Sequence, residues 1–198
     1  MLCAKTSSTS EEVIRKVMLQ WERPPSLVVF FLSNPVYKMW AKRKVSRLDI
    51  KPGSIVLDFG CGTGIFSYYL AKKVGPHGRV FAIDISESLI QLAKKQLKRC
   101  LNVEIKLGEI WQLDFDPESI DEIFIHYVLH EMPQKKRYKA VLEFLRILKK
   151  AGKIRIFEPR PPHGIPVKGV EAIFKRAGLK QNQLNLSWRS FSAVYLKK

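Results

Sequence analysis

Three glycines at alternate positions, Gly60, Gly62 and Gly64, follow an acidic residue, Asp58, and a short apolar run, Ile55-Val56-Leu57. The run reads as a buried strand, the glycines as a turn, and Ile65 to Lys73 as the helix that follows. A strand, a glycine turn and a helix N-terminus in that order form a site for a nucleotide-like ligand. Glycine lets the chain turn sharply and lets the ligand lie directly against main-chain N–H groups. The spacing is G-x-G-x-G, whereas a nicotinamide dinucleotide fingerprint has G-x-G-x-x-G. Asp58 so close to the turn would repel a pyrophosphate and attract an ammonium group, which favours an amino-acid-bearing nucleoside. Its alternative role is structural, capping the turn by accepting loop amides. Cys61 reads as a small space-filler in the loop before it reads as a nucleophile.

A second acid, Asp84, closes the next strand twenty positions after Gly64. A carboxylate there can accept both hydroxyls of a ribose. A third, Glu109, stands in Gly108-Glu109-Ile110 after the third strand. It is placed to accept a hydrogen bond from an adenine amino group, with Ile110 covering the ring; a solvated acid is the plainer reading. His126 ends the fourth strand and His130 follows one helical turn later. Either is a candidate general base near neutral pH, and each is equally a structural histidine bonded to backbone. Tyr127, Tyr37 and Trp40 are candidates to line or cover the acceptor, although aromatics at helical spacing are more often core. His163, after the fifth strand, is a further candidate for the mouth of the site, and His77, in a turn at the opposite edge, is given no role.

The elements that must position these residues alternate. Strands read at 55–59, 79–84, 103–107, 122–126 and 153–157, with helices between them at about 65–73, 86–99 and from Pro133 onward. Ser86 suits an N-cap, Pro133 a first helical turn, and Gly178 the residue closing a last helix. Leu89, Ala93 and Leu97 form one inward stripe, and Tyr138, Val141, Leu142, Leu145 and Leu148 another. Residues 179–186 and 191–196 read as two closing strands. This alternation gives an α/β, doubly wound, Rossmann-like sheet with helices on both faces. Ligands of such sheets bind beyond the carboxyl ends of the strands. The domain reading is an N-terminal helical lid over residues 1–50 and a ligand-binding domain over 51–198. Within the lid, Thr9 with Glu12 suggests a capping box. Val13, Ile14, Val17, Met18 and Trp21 share a helical face, and a second helix runs from Val36 to Arg47. The apolar run Leu27 to Leu32 suits a wall of an apolar acceptor pocket or a dimer contact.

At these motifs the sequence resembles the class I S-adenosylmethionine-dependent methyltransferases, and most closely the ubiquinone/menaquinone-biosynthesis (type 11) group. Val56 to Gly64 resembles their first motif, and Ala82-Ile83-Asp84-Ile85-Ser86 their second-strand acidic motif. Gly108-Glu109-Ile110 resembles the adenine-binding position, where Asp is commoner, and Val128-Leu129-His130-Glu131 the segment after strand four. Leu148 to Lys153 resembles an "LKPGG" turn with Lys-Ala in place of Pro-Gly. The resemblance implies a seven-stranded sheet ordered 3-2-1-4-5-7-6 with strand seven antiparallel. It implies S-adenosyl-L-methionine as donor and S-adenosyl-L-homocysteine as product. The implied cofactor residues are Asp58, Gly60, Cys61, Gly62, Thr63, Gly64, Asp84, Ile85, Glu109, Ile110 and His126, with His126 and His130 the catalytic candidates. A sulfonium-borne methyl is already electrophilic, so holding a nucleophile in line supplies much of the rate, and a general base adds to it.

The acceptor is less specified. A small or lipid-like molecule is the first reading. The net charge of +17 over 198 residues motivates the alternative of an RNA or acidic protein substrate. A protein that holds the cofactor without chemistry and a nicotinamide oxidoreductase are less favoured readings. Cys3, Cys61 and Cys100 lack metal-ligand spacing and read as free thiols, so no metal is expected. No run approaches the roughly 20 apolar residues of a membrane span, and the default location is cytoplasmic.

Overall fold

A computed structural model describes residues 34–197. The expectations placed on Thr9 to Trp21 and on Leu27 to Leu32 lie outside the described residues. The chain runs α1 (Pro35–Ser46), β1 (Ile55–Phe59), α2 (Ile65–Val74), β2 (Arg79–Asp84), α3 (Glu87–Leu97), β3 (Val103–Leu107), a short 3-10 turn (Ile110–Gln112) and β4 (Ile120–His126). It continues through α4 (Gln134–Ile147), β5 (Leu148–Pro159), α5 (Val167–Arg176), β6 (Lys180–Leu186) and β7 (Ser190–Leu196). The strands form one sheet in the order β3-β2-β1-β4-β5-β7-β6. β1 to β5 pair in parallel, and β7 runs antiparallel to both β5 and β6. This is the doubly wound architecture and strand order expected from the sequence.

Both faces of the central strands are covered, which is why β1 and β4 read as continuous apolar runs. Successive side chains of a strand point to opposite faces. Val56 and Phe124 enter one core with Ala41, Val45, Phe66 and Leu70 of α1 and α2. Leu57, Ile123 and Ile125 enter the other, with Val141 and Phe144 of α4 and Val170 and Phe174 of α5. Each such fully buried side chain is worth about 1.5–3 kcal/mol of transfer free energy. Helix starts follow local chemistry. Asn34 Oδ1 accepts the Val36 N–H at 2.8 Å, with Pro35 leading α1, and Ser86 Oγ accepts the Leu89 N–H at 3.4 Å.

The structure corrects several boundaries and stripes. On α3 the buried stripe is Ile90, Ala93 and Leu97 rather than one beginning at Leu89. On α4 it is Ala140, Val141, Phe144 and Ile147, and Leu142 stands 44% exposed. Pro133 is the N-cap of α4, one position before the helix. β4 begins two residues early, at Ile120. β5 begins directly after α4, so the expected Ala151-Gly152 turn is a register shift inside a longer strand. Ala151 there holds φ +59°, a left-handed value, where the resembled turn has glycine. Gly178 takes φ +86° just past α5, as expected.

Candidate functional site

The glycine loop is folded against β2 more tightly than a bare ligand cradle requires. The N–H groups of Gly60 and Cys61 both donate to the Ile83 carbonyl at 2.9 Å. The Gly62 N–H donates to Asp84 Oδ2 at 2.9 Å, and the Gly64 N–H to the Cys61 carbonyl at 2.9 Å. The expectation that the loop would offer these amides to a ligand is therefore corrected: four of them are bonded within the protein. What the loop offers instead is space. At Gly60 (φ +72°) a Cβ would lie 2.4 Å from a Val128 methyl, so only glycine fits between the loop and the chain after β4. At Gly62 (φ +55°) a Cβ would meet nothing within 4 Å, so the chain is open on that side.

Asp84 joins the two strand ends. Its Oδ2 holds Gly62 and its Oδ1 accepts the Ser86 N–H at 2.9 Å. A carboxylate has about four acceptor positions, so each oxygen keeps capacity for a further donor. Burial raises its pKa. Asp58 lies under the loop, 2% exposed, with Oδ2 accepting the Ser67 hydroxyl of α2 at 2.5 Å. Burial pushes its pKa up to about 7, against the lowering effect of the Ser67 bond. Asp58 accepts no loop amide, so the turn-capping alternative is not what the fold uses. Cys61 is buried and its thiol raised by burial, in keeping with a space-filler. Thr63 is half-buried and Ile85 is 64% exposed beside Asp84.

After β3, Glu109 forms an ion pair with Lys136 of α4. Ile110 is fully buried in the α4–α5 core, and the expectation that it covers a ligand ring is corrected. It opens the 3-10 turn, and that turn directs its side chain inward.

The two histidines occupy different surroundings. The ring of His126 lies among aromatics of α1, α2 and the strand ends. Phe66 is 4.3 Å away between ring centroids, Tyr127 is stacked at 4.4 Å, and Trp40 lies at 5.4 Å. Its Nε2 is buried with no hydrogen-bond partner among the described residues. Burial, and then the nearby Lys44 charge, holds its pKa well below the usual histidine value, so the ring is neutral. Tyr37, packed on Trp40 and Phe66, has its hydroxyl pushed up to about 12 by burial and by Asp58.

His130 is instead held by a carboxylate. Its Nδ1 lies 2.7 Å from Glu158 Oε2. Glu158, at the end of β5 and fully buried, also accepts the N–H groups of Val128 at 2.9 Å and Leu129 at 2.7 Å. The Glu158 bond raises the His130 pKa against the effect of burial. Glu131, half-exposed and 3.8 Å from His130 Nε2, has its pKa raised by burial against the lowering effect of His130. Sequence reasoning missed Glu158. The signal was an acid in an otherwise apolar strand end, Ile156-Phe157-Glu158, before Pro159. Tyr127 links the two histidines, stacked on His126 and edge-on to His130 at 6.2 Å. Its φ of +59° is a left-handed value that bulky residues rarely adopt. Strain of this kind concentrates at functional sites.

His163 is exposed, and none of the described ion pairs or hydrogen bonds involves it. A cleft of about 1,070 Å³ lies at the opposite, amino ends of the strands, lined by Ile55, His77, Arg79, Asn102 and Ser119 among others. In a doubly wound sheet that is the wrong end for the principal ligand.

A family model described as a methyltransferase domain matches residues 50–192. A demethylmenaquinone methyltransferase of Staphylococcus carnosus is 33% identical over 146 residues, 73% of this chain and 59% of the relative. That of Lactobacillus johnsonii is 34% identical over 140 residues, 69% of this chain and 57% of the relative. The chain thus spans less than two thirds of the length of these curated relatives. In fold it is similar to a SAM-dependent methyltransferase from Aquifex aeolicus, with a TM-score of 0.74 at 23% identity over 89% of this chain and 100% of the other. A TehB-like SAM-dependent methyltransferase from Corynebacterium glutamicum superposes with a TM-score of 0.70 at 20% identity, over 93% and 97%. Among the described residues no helix is long and apolar enough to cross a membrane.

Proposed function

We propose, from the premise that this chain belongs to the class I S-adenosylmethionine-dependent methyltransferases, that it methylates a small or lipid-like acceptor brought to the carboxyl ends of β1, β2 and β4. S-adenosylmethionine is its donor, and when bound it supplies a methyl group already activated by a positive sulfur. The observation that carries the site assignment is the junction of Asp84 with the open glycine loop. One carboxylate closes β2 onto Gly62 and Ser86 while keeping acceptor capacity beside the open side of Gly62. In this reading Asp84 takes the ribose hydroxyls and the Gly60 to Gly64 loop, with Cys61 and Thr63, shapes the floor. Asp58 lies below the amino-acid end, where a bound ammonium group would favour its ionised form over the neutral one that burial favours. Ile85 flanks the ribose, and Glu109 faces the adenine amino group while pinned by Lys136.

For proton handling, His130 is the stronger of the two candidates. Glu158 fixes its Nδ1, which orients the ring and leaves Nε2 as the atom to hold or take a proton, the logic of a carboxylate-oriented histidine. His126 serves better as a neutral, apolar wall, since its Nε2 is sealed. Glu158, holding Val128 and Leu129 as well, is a positioning residue.

The relatives named demethylmenaquinone methyltransferase support an acceptor of a quinol kind. The +17 charge supports a second reading, RNA or an acidic protein. Chain cleared of co-purified ligand and given radiolabelled donor with reduced demethylmenaquinone or with bulk tRNA separates the two. Label in the extracted lipid supports the first. Label in RNA, falling steeply with salt as phosphate contacts require, overturns it.

A further inference from the structure

A second cavity, of about 250 Å³, opens at the carboxyl end of β5, with Tyr127 in its wall. Its walls come from elements that lie far apart in sequence. Lys44 of α1 and Tyr127 stand on one side, and Phe157 of β5 with Phe191 and Ser192 of β7 on another. Phe157, Ser192 and Asn185 are in register across β5, β7 and β6, so a flat aromatic face continues into a row of polar side chains.

Lys44 is the unusual member. Its ammonium lies 3.9 Å from the centroid of the Phe157 ring and 4.6 Å from that of Trp40. Among the described residues no carboxylate lies within 4 Å of it and no hydrogen-bond acceptor takes its protons. Bases on β5 behave differently: Lys149, Lys153 and Arg155 each hold an acid. Two ring faces hold a cation by the aromatic quadrupole, which fixes its position but leaves its N–H groups without acceptors. Burial draws the Lys44 pKa down to about 8, which still leaves it charged at neutral pH.

On the methyltransferase reading above, we propose that this cavity is the acceptor subsite and that Lys44 selects an acceptor with an ionised hydroxyl on a flat unsaturated ring. The ring lies against Phe157 and Tyr127, and its oxyanion takes the unpaired N–H groups of Lys44. The hydroxyl's proton passes to water before binding, its O–H bond broken and the electron pair kept on oxygen. An amine acceptor is disfavoured because it would bring a second cation to Lys44. A saturated polar acceptor would waste the aromatic walls.

The test uses 2,4-dinitrophenol, ionised at neutral pH, and its neutral methyl ether, 2,4-dinitroanisole, each titrated into the full chain saturated with S-adenosylhomocysteine. A charge-assisted hydrogen bond of about 1.5–3 kcal/mol corresponds to a preference of at least about tenfold. The expected result is that preference in the wild type, its retention in Lys44→Arg, and its collapse to near unity in Lys44→Met with S-adenosylhomocysteine affinity unchanged. Equal binding of the two probes by the wild type, no binding of either, or a preference surviving Lys44→Met overturns the proposal. If Lys44→Met fails to fold, Ser192→Trp decides: filling the cavity must abolish phenolate binding and spare S-adenosylhomocysteine, and undiminished phenolate binding overturns it. Failure of the wild type to bind S-adenosylhomocysteine is a separate outcome, which removes the assigned donor site and the subsite resting on it.

Discussion

β4 and β5 run side by side, and their two ends are built on different principles. Toward the amino ends both acids of β4, Asp121 and Glu122, have a base. Arg155 donates to Glu122 at 2.6 Å and is bonded to Asp49 as well, Lys153 takes Asp49 at 2.9 Å, and Lys149 takes Asp121 at 2.8 Å. Asp121 also accepts the Ile55 N–H that starts β1. At the carboxyl ends β4 carries a sealed His126 Nε2 without a partner among the described residues and leads into a strained Tyr127, and Phe157 of β5 lies under the Lys44 ammonium of α1. Beside them β1 carries a buried Asp58 with a raised pKa. Glu158 is the exception there, and it fixes the loop that carries His130. One end is satisfied by the fold. The other leaves groups that a ligand can satisfy, the pattern expected where local rules are broken for function.

The sharpest way to break this contrast is at the paired end. Arg155→Met leaves Glu122 buried without its cation, and removing one partner of a buried pair costs about 3–5 kcal/mol. Urea unfolding should show that loss, while the folded variant keeps its affinity for S-adenosylhomocysteine. The next effect lies at the other end and depends on pH. Asp58 has a folded pKa of about 7 against an ordinary 3.8. Between these values the native state therefore binds more protons than the unfolded one, and its contribution to stability falls as pH rises through that window. Asp58→Asn should remove this decline, so that stability of wild type and variant compared from about pH 4 to pH 7 diverges by a few kcal/mol. A constant difference across the window would contradict the assignment. Smaller again, Asp84→Ala should weaken S-adenosylhomocysteine binding by about 1–3 kcal/mol, the worth of a lost charge-assisted hydrogen bond. The smallest separates useful strain from idle strain. Ala151 and Tyr127 share a φ of +59°, but only Tyr127 is near the site. Ala151→Gly should raise stability by about 1 kcal/mol in thermal unfolding, with ligand affinity unmoved.

Much of the fold was legible because its signals are local. The run from Arg79 to Asp84 and the run from Val103 to Leu107 are bounded by turn residues, and both strands form over those spans. The helix stripes were read in part: Ala93, Leu97, Val141 and Leu148 are buried as expected, while Ile90 takes the place of Leu89 and Leu142 stands exposed, because the angle a helix presents is set by the sheet beneath it as well as by its own sequence. At the site, the glycine loop and Asp84 were visible as a motif, and Asp84 indeed meets Gly62. Ile110 was misplaced because the short turn after Glu109 aims it into the core. Glu158 shows in the sequence only as an acid in an apolar strand end, and nothing near Lys44 announces it. Glu158 gains its role from amides 28 to 30 positions earlier. Lys44 gains its role from Phe157, beyond four intervening strands and three α-helices.

The division between a satisfied end and an unsatisfied one is tested most directly by calorimetric titration of S-adenosylhomocysteine into Asp84→Ala and Arg155→Met side by side, each under conditions where it is folded. The account predicts affinity lowered by about 1–3 kcal/mol in Asp84→Ala and unchanged in Arg155→Met, the variant with the greater loss of stability. Equal losses in both variants, or an undiminished Asp84→Ala, would contradict it.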